Sequence, residues 1–284
     1  MDYTIFNIIS FILTTMFYYF VLKPKLTIET LSNQEAYKDY TKSSYFRLCI
    51  YFLLVLLIQF GMNTGAMISK CGGSVPQNIG VAGMMTFLPW VLIFGLVIIM
   101  LIVFPGFKGA FSDVVGYFFV SNGANRVLSD ILITTPSNLN NKPGVAQEWG
   151  AANEKTMQDT ADVMSRLYGN MSILINQIVP SNFLKYMEIL KPIMKPKYVN
   201  DQTLFKLKEQ ELLSLVSTRD NVGEAFWYTY AGLLLIAITQ YNIASRPCVK
   251  DIATIQANYK NFLKEQDEIN SEKARGKGVY TIKN

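Results

Sequence analysis

Histidine is missing altogether from the 284-residue chain. Its absence removes Ser-His-Asp and Cys-His nucleophile systems, imidazole-bearing zinc sites and histidine proton relays. Cysteine is scarce: Cys49, Cys71 and Cys248 are too few for a tetrathiolate metal site, and none forms a CxxC pair. Gly-rich phosphate loops are lacking too, since Gly276-Lys277-Gly278 is short for a P-loop and follows no strand. Between 121 and 223 no run alternates as a half-buried strand would. The net charge of +5 is mild and scattered, which gives no footprint for nucleic acid. Neither an enzyme nor a metal or cofactor site is expected.

Charge is also absent from four long stretches. Half of the residues are hydrophobic and only 17% are charged, a balance shifted toward membrane proteins. Ala82 to Phe104 carries no charge over twenty-three residues, and about 20 apolar residues suffice to cross the hydrocarbon core at a rise of about 1.5 Å each. Tyr3 to Leu22 is a second such run, with aromatic residues at its end and Lys23 and Lys25 beyond. These flanks favour a retained anchor with a cytoplasmic basic end over a cleaved signal peptide. Leu48 to Ser69 is a third, with Gly61 and Gly65 spaced as a GxxxG helix-packing motif; chance spacing is the alternative. Ala225 to Ser245 is the fourth. It reads as a span with interfacial aromatics or as a buried helix of a soluble domain, and as a span it should pack against the third.

The fold class is therefore mostly α: a helical membrane protein of about four spans, with a small helical soluble domain between spans three and four. Residues 1–120 form a three-span region, 121–223 the soluble domain, 224–245 the fourth span, and 246–284 an amphipathic helix with a basic tail. Turn signals stand at Thr135-Pro136-Ser137-Asn138 and Lys142-Pro143-Gly144. Met157, Ala161, Met164, Leu167, Tyr168, Met171 and Ile175 repeat at helical steps, and Ser181 and Asp201 are candidate helix caps. Asn170-Met171-Ser172 matches a glycosylation acceptor by chance, because it lies in that stripe. In the tail, Val249, Ile252, Ile255, Tyr259, Phe262 and Leu263 share one face that needs a cover of protein or lipid.

Pro105-Gly106 should end the third span, because proline disfavours helical geometry at Phe104 and glycine tolerates positive φ. An interfacial turn is expected there, with Lys108 at headgroup level and Gly106 intolerant of alanine if its φ is positive. Lys108 and Asp113 read either as charges that close a membrane segment or as an ion or headgroup site.

Two blocks carry a resemblance. Pro89-Trp90, Phe94-Gly95, Phe104-Pro105-Gly106-Phe107, Phe111-Ser112-Asp113 and Gly116-Tyr117 make the first. Arg219-Asp220-Asn221-Val222-Gly223-Glu224, Trp227-Tyr228, Gly232, Tyr241-Asn242 and Cys248 make the second. Together they resemble virion membrane proteins of the giant nucleocytoplasmic DNA viruses, the algal phycodnaviruses and their relatives. Phe107 and Asp113-Val114 depart from the family pattern, which has tryptophan and an Asn-Thr pair there. The resemblance implies a multi-spanning minor capsid protein in the virion's internal membrane, derived from an endoplasmic-reticulum-like host membrane. It implies as partners the lipid bilayer and capsid or minor capsid proteins. A small channel or transporter-like protein, its pore shaped by Gly61, Gly65 and Pro89, is the rival reading.

The 23–47 connection is the basic one, so the positive-inside rule places it on the cytoplasmic side. Threading four spans then returns the soluble domain to that side and sets Cys71 and Cys248 together on the other. Those two are a candidate disulfide, Cys49 staying free within span two; three unrelated apolar cysteines are the alternative.

Overall fold

The computed structural model describes residues 3–72, 75–132, 171–248 and 252–276. Their regular structure is helical, with one isolated antiparallel bridge between Leu132 and Met194. The turn signals at 135–138 and 142–144, the stripe from Met157 to Tyr168, Asn170 and the end of the basic tail lie outside the described residues.

Helix α1 covers Tyr3–Leu22, its last turn widened to a π-helix. A short α2, Ile28–Ser32, starts where the Thr27 side chain accepts from the Thr30 amide. Helix α3, Gln34–Cys71, is capped by Asn33, whose side chain accepts from the amides of Glu35 and Ala36. It ends at Gly72, which takes φ +69°, a left-handed value that glycine adopts without strain. Helix α4 spans 75–103, with Pro89 inside it. A π-helical turn over Trp90–Phe94 follows the proline and absorbs the misfit of a residue that cannot donate to the helical ladder.

The chain breaks at Phe104, whose φ −122° and ψ 74° are those of a pre-proline residue. A 3₁₀ turn over Pro105–Lys108 leads into α5, residues 109–131. Among the described residues that follow stand short helices, α6 at Met171–Gln177, α7 at Phe183–Leu190 and α8 at Pro196–Asn200. Asp201 caps α9, accepting from the Thr203 and Leu204 amides as its position suggests. Ser181 is not a cap; Asn182 precedes α7 and caps nothing with its side chain. Helix α10 covers Ile252–Gly276.

Helix α9 runs unbroken from Gln202 to Ser245. The boundary expected between a soluble domain ending at 223 and a span starting at 224 falls inside this one helix. Composition changes there, but nothing breaks the backbone: Gly223 costs only about 1 kcal/mol in a helix interior, and its lack of a side chain is used in packing.

Among the described residues four helices, α1, α3, α4 and α9, are long and apolar enough to cross a membrane. Their side chains are arranged inside-out relative to a water-soluble bundle. Asn7, Gln59, Asn63, Thr86 and Thr239 are buried, while Leu13, Leu57 and Leu96 are 59%, 61% and 64% exposed. Such a belt costs nothing in lipid and would be a large apolar patch in water. The interior is aromatic at the level of Phe11, Tyr51, Trp90, Phe94 and Tyr228. Tyr228 of α9 meets Phe94 of α4 at 5.6 Å between ring centroids, so the fourth span packs against the third. It also packs against the first, at Phe11 and Gly232.

The head forms around the first half of α9. Leu212, Leu213 and Val216 join Val127, Leu128 and Ile131 of α5 and Phe183, Met187 and Leu190 of α7 in one core. Leu26, Ile28 and Leu31, from the connection after α1, pack against it. The connection is thus part of the head.

The 105–117 segment does not turn along the interface. Phe107, Ser112, Gly116 and Gly123 meet Trp227, Gly223, Arg219 and Leu215 in turn, so α5 climbs antiparallel along α9 into the head. Gly106 has no positive φ, and a Cβ there would meet nothing within 4 Å. The break is a lateral offset made by Pro105 rather than a glycine turn.

Candidate functional site

Where the spans meet the head, α9 presents Asp220 and Glu224 one turn apart, on the face that α1 and α5 approach. Glu224 Oε1 accepts from Lys23 Nζ at 2.7 Å and from the Tyr19 hydroxyl at 3.0 Å. Its Oε2 lies 2.6 Å from Lys108 Nζ, which also donates to Asp220 Oδ2 at 3.2 Å. The Glu224 side chain is 7% exposed and that of Lys108 17%. Lys23 sits over the Tyr19 ring at 5.0 Å. Three distant stretches, the end of span one, the offset after span three and the start of span four, therefore share one carboxylate. Two cations and two anions leave the cluster neutral, as burial demands. Burial alone would pull the Lys108 ammonium down, but Glu224 and Asp220 outweigh it and hold its pKa above the ordinary lysine value.

Glycines allow this closeness. A Cβ on Gly223 would come within 2.6 Å of Ser112 Cβ and 2.8 Å of the Lys108 carbonyl. One on Gly116 would stand 2.5 Å from the Arg219 carbonyl. Arg219 is buried and donates to the Ile175 carbonyl and the Asn176 side chain, tying α9 to α6. The Trp227 indole donates to the Phe107 carbonyl at 2.8 Å.

Lys108 lies inside the ion cluster, paired with Asp220 and Glu224 where the spans meet the head. Asp113 stays on the exposed side of α5. The GxxxG pair divides: Gly65 packs against the Tyr3 ring, to which a Cβ would come within 3.4 Å, whereas Gly61 faces open space. Close approach between spans is served instead by Gly232, where a Cβ would overlap the Phe11 ring.

Deeper in the bundle a single amide links all four spans. Asn63 of α3 accepts from Asn7 of α1 at 3.3 Å and from Gln240 of α9 at 2.8 Å, and donates to Thr86 of α4 at 2.9 Å. At the end away from the head, Cys71 and Cys248 are joined in a disulfide, and Cys49 is a free thiol on the outer surface of α3. Beside the disulfide, Lys70 Nζ donates to the carbonyls of Ile243, Ala244 and Arg246, satisfying the open end of α9.

A cleft of about 1490 Å³ opens beside the ion cluster, between the first half of α3 and the first half of α9. Among the described residues no three His, Cys, Asp or Glu side chains gather as a metal site would require. The arrangement is an electrostatic clasp between the spans and the head. Compared with protein-family models, curated proteins and solved structures, the chain matches none.

Sequence reasoning missed the cluster because its members lie far apart, Lys23 and Glu224 by 201 positions. The signal available was charge placement: Lys23, Lys108 and Glu224 each stand at the edge of a charge-free run on the same side of the membrane.

Proposed function

We propose that this is a structural membrane protein of a large DNA virus particle, holding an internal lipid membrane to the capsid shell through its head, with the tail on the opposite side of that membrane. One observation carries the reading. The two blocks that resemble giant-virus virion membrane proteins are the two sides of one interface. Phe107, Phe111, Ser112 and Gly116 of the first block touch Trp227, Phe226, Gly223 and Arg219 in or beside the second, and Lys108 between them pairs with Asp220 and Glu224.

The build suits a mechanical task. A continuous helix joins bundle and head, a buried clasp locks the joint, and the tail helix α10 offers Tyr259, Phe262, Leu263 and Ile269 on its exposed surface. The experiment is mild detergent treatment of particles that contain the protein. Retention on capsid shells after the lipid is stripped is expected; quantitative loss with the lipid would refute the linkage.

A further inference from the structure

The cleft between α3 and α9 is not accounted for by the clasp. Its lower lip is formed by the first turn of the second span at Leu48 and the last turn of the third at Leu101 and Ile102. Ile102 is itself exposed among the lipid-facing residues of α4, so the cleft opens at the headgroup level of the bilayer. Its upper walls belong to the head.

Those walls are rich in donors without acceptors. Tyr37, Tyr40 and Tyr45 line one side, and none of their hydroxyls has a partner among the hydrogen bonds of the described residues. Opposite them, Ser217 Oγ and Arg219 Nε are buried and unpartnered. Lys25 and Lys206 stand on the two rims, exposed and in no ion pair among the described residues. Two of the acidic groups are committed, Asp220 and Glu224 to Lys108 and Lys23. Glu29 and Asp113 are the remaining carboxylates in the lining, against Lys25, Lys206 and Arg219, so the cleft keeps a surplus positive charge.

Unpaired donors, a surplus cation and an apolar lip fit one ligand chemistry, a phosphate ester carried on acyl chains. We infer that the cleft binds the headgroup of one anionic glycerophospholipid, phosphate between Lys25 and Lys206 and chains over Leu101 and Ile102. Such a lipid is a fixed component of the joint rather than part of the exchanging annulus. The inference rests on the membrane-spanning fold and stands apart from the virion role.

The test is native mass spectrometry of the full-length protein in detergent. Three probes are titrated: dioleoylphosphatidylglycerol, dioleoylglycerol with the same chains and no phosphate, and glycerol 1-phosphate with no chains. One phosphatidylglycerol should be retained and neither of the others. The double variant Lys25→Gln/Lys206→Gln should reduce retention about tenfold, since each lysine gives a charge-assisted contact. Ser214→Trp, an exposed position in the lining, should block binding while far-UV circular dichroism stays unchanged. Equal retention of dioleoylglycerol would reduce the site to lipid-belt adhesion, and tight binding of glycerol 1-phosphate would make it a soluble-phosphate site. Retention unaffected by the variants would place the lipid elsewhere; each of these three results overturns the inference.

Discussion

At the scale of single residues, Glu224 carries the greatest consequence. Replacing it with glutamine leaves Lys23 and Lys108 buried without their shared anion. Removing one partner of a buried ion pair costs about 3–5 kcal/mol, so Glu224→Gln should lower stability by that order in a detergent unfolding titration. A loss below about 1 kcal/mol, the range of surface pairs, would show that the clasp is solvated. The pH dependence follows from Lys108. Its pKa is raised in the folded state, so its contribution is complete below the ordinary value of 10.5 and is lost only as pH rises through the higher folded value. The stability gap between the wild type and Lys108→Met should therefore stay constant from about pH 7 to 10 and narrow only above that. Glycines make a paired comparison. Gly223→Ala pushes into the backbone of Lys108 and Ser112 and should cost about 1–3 kcal/mol, whereas Gly106→Ala enters open space and should be neutral or stabilise by about 0.4–1 kcal/mol. Thermal unfolding of the two variants side by side checks both.

At the scale of elements, the spans were legible because a charge-free run of twenty or more residues has few alternatives. The Asp201 cap and the break before Pro105 were legible for equally local reasons. What followed Pro105 was not. Whether a chain turns along an interface or climbs a neighbouring helix depends on how closely that neighbour can approach, and Gly116, Gly123 and Gly223 carry no local sign of their partners. For the same reason Gly61 and Gly65 looked like a packing motif while the isolated Gly232 did not. The unity of α9 was hidden by its two environments: its first half reads as an amphipathic soluble helix and its second as a lipid-facing one, yet backbone hydrogen bonding is indifferent to the change of solvent. The polar node gives a prediction at this scale. Asn63→Leu removes the hydrogen bonds that reach all three neighbouring spans, and intramembrane bonds of this kind are worth about 1–2 kcal/mol in simple helical peptides. A loss of that order should appear in unfolding from mixed micelles, with the head's circular dichroism retained.

At the scale of the whole molecule, the path of the chain puts the head and the 23–47 connection on one side of the membrane and the Cys71–Cys248 bridge on the other. In sealed vesicles, with Cys49→Ser as background, a membrane-impermeant maleimide should label Lys38→Cys from one side only and Ser271→Cys from the other. Labelling of both from the same side would break the four-span path. Non-reducing peptide mapping should recover Cys71 and Cys248 in one linked peptide pair, and reduction should cost about 2–4 kcal/mol for so long a closed loop. The unbroken length of α9 has a further consequence. The part before the span, residues 202–224, measures about 34 Å at 1.5 Å per residue. The helix has no hinge, and it is clasped at the membrane surface by Glu224 and tied at its far end by Lys70. It is therefore a gauge: whatever grips the head is held at one set distance from the bilayer, and a two-turn insertion into α9 would move the two surfaces apart by about 11 Å.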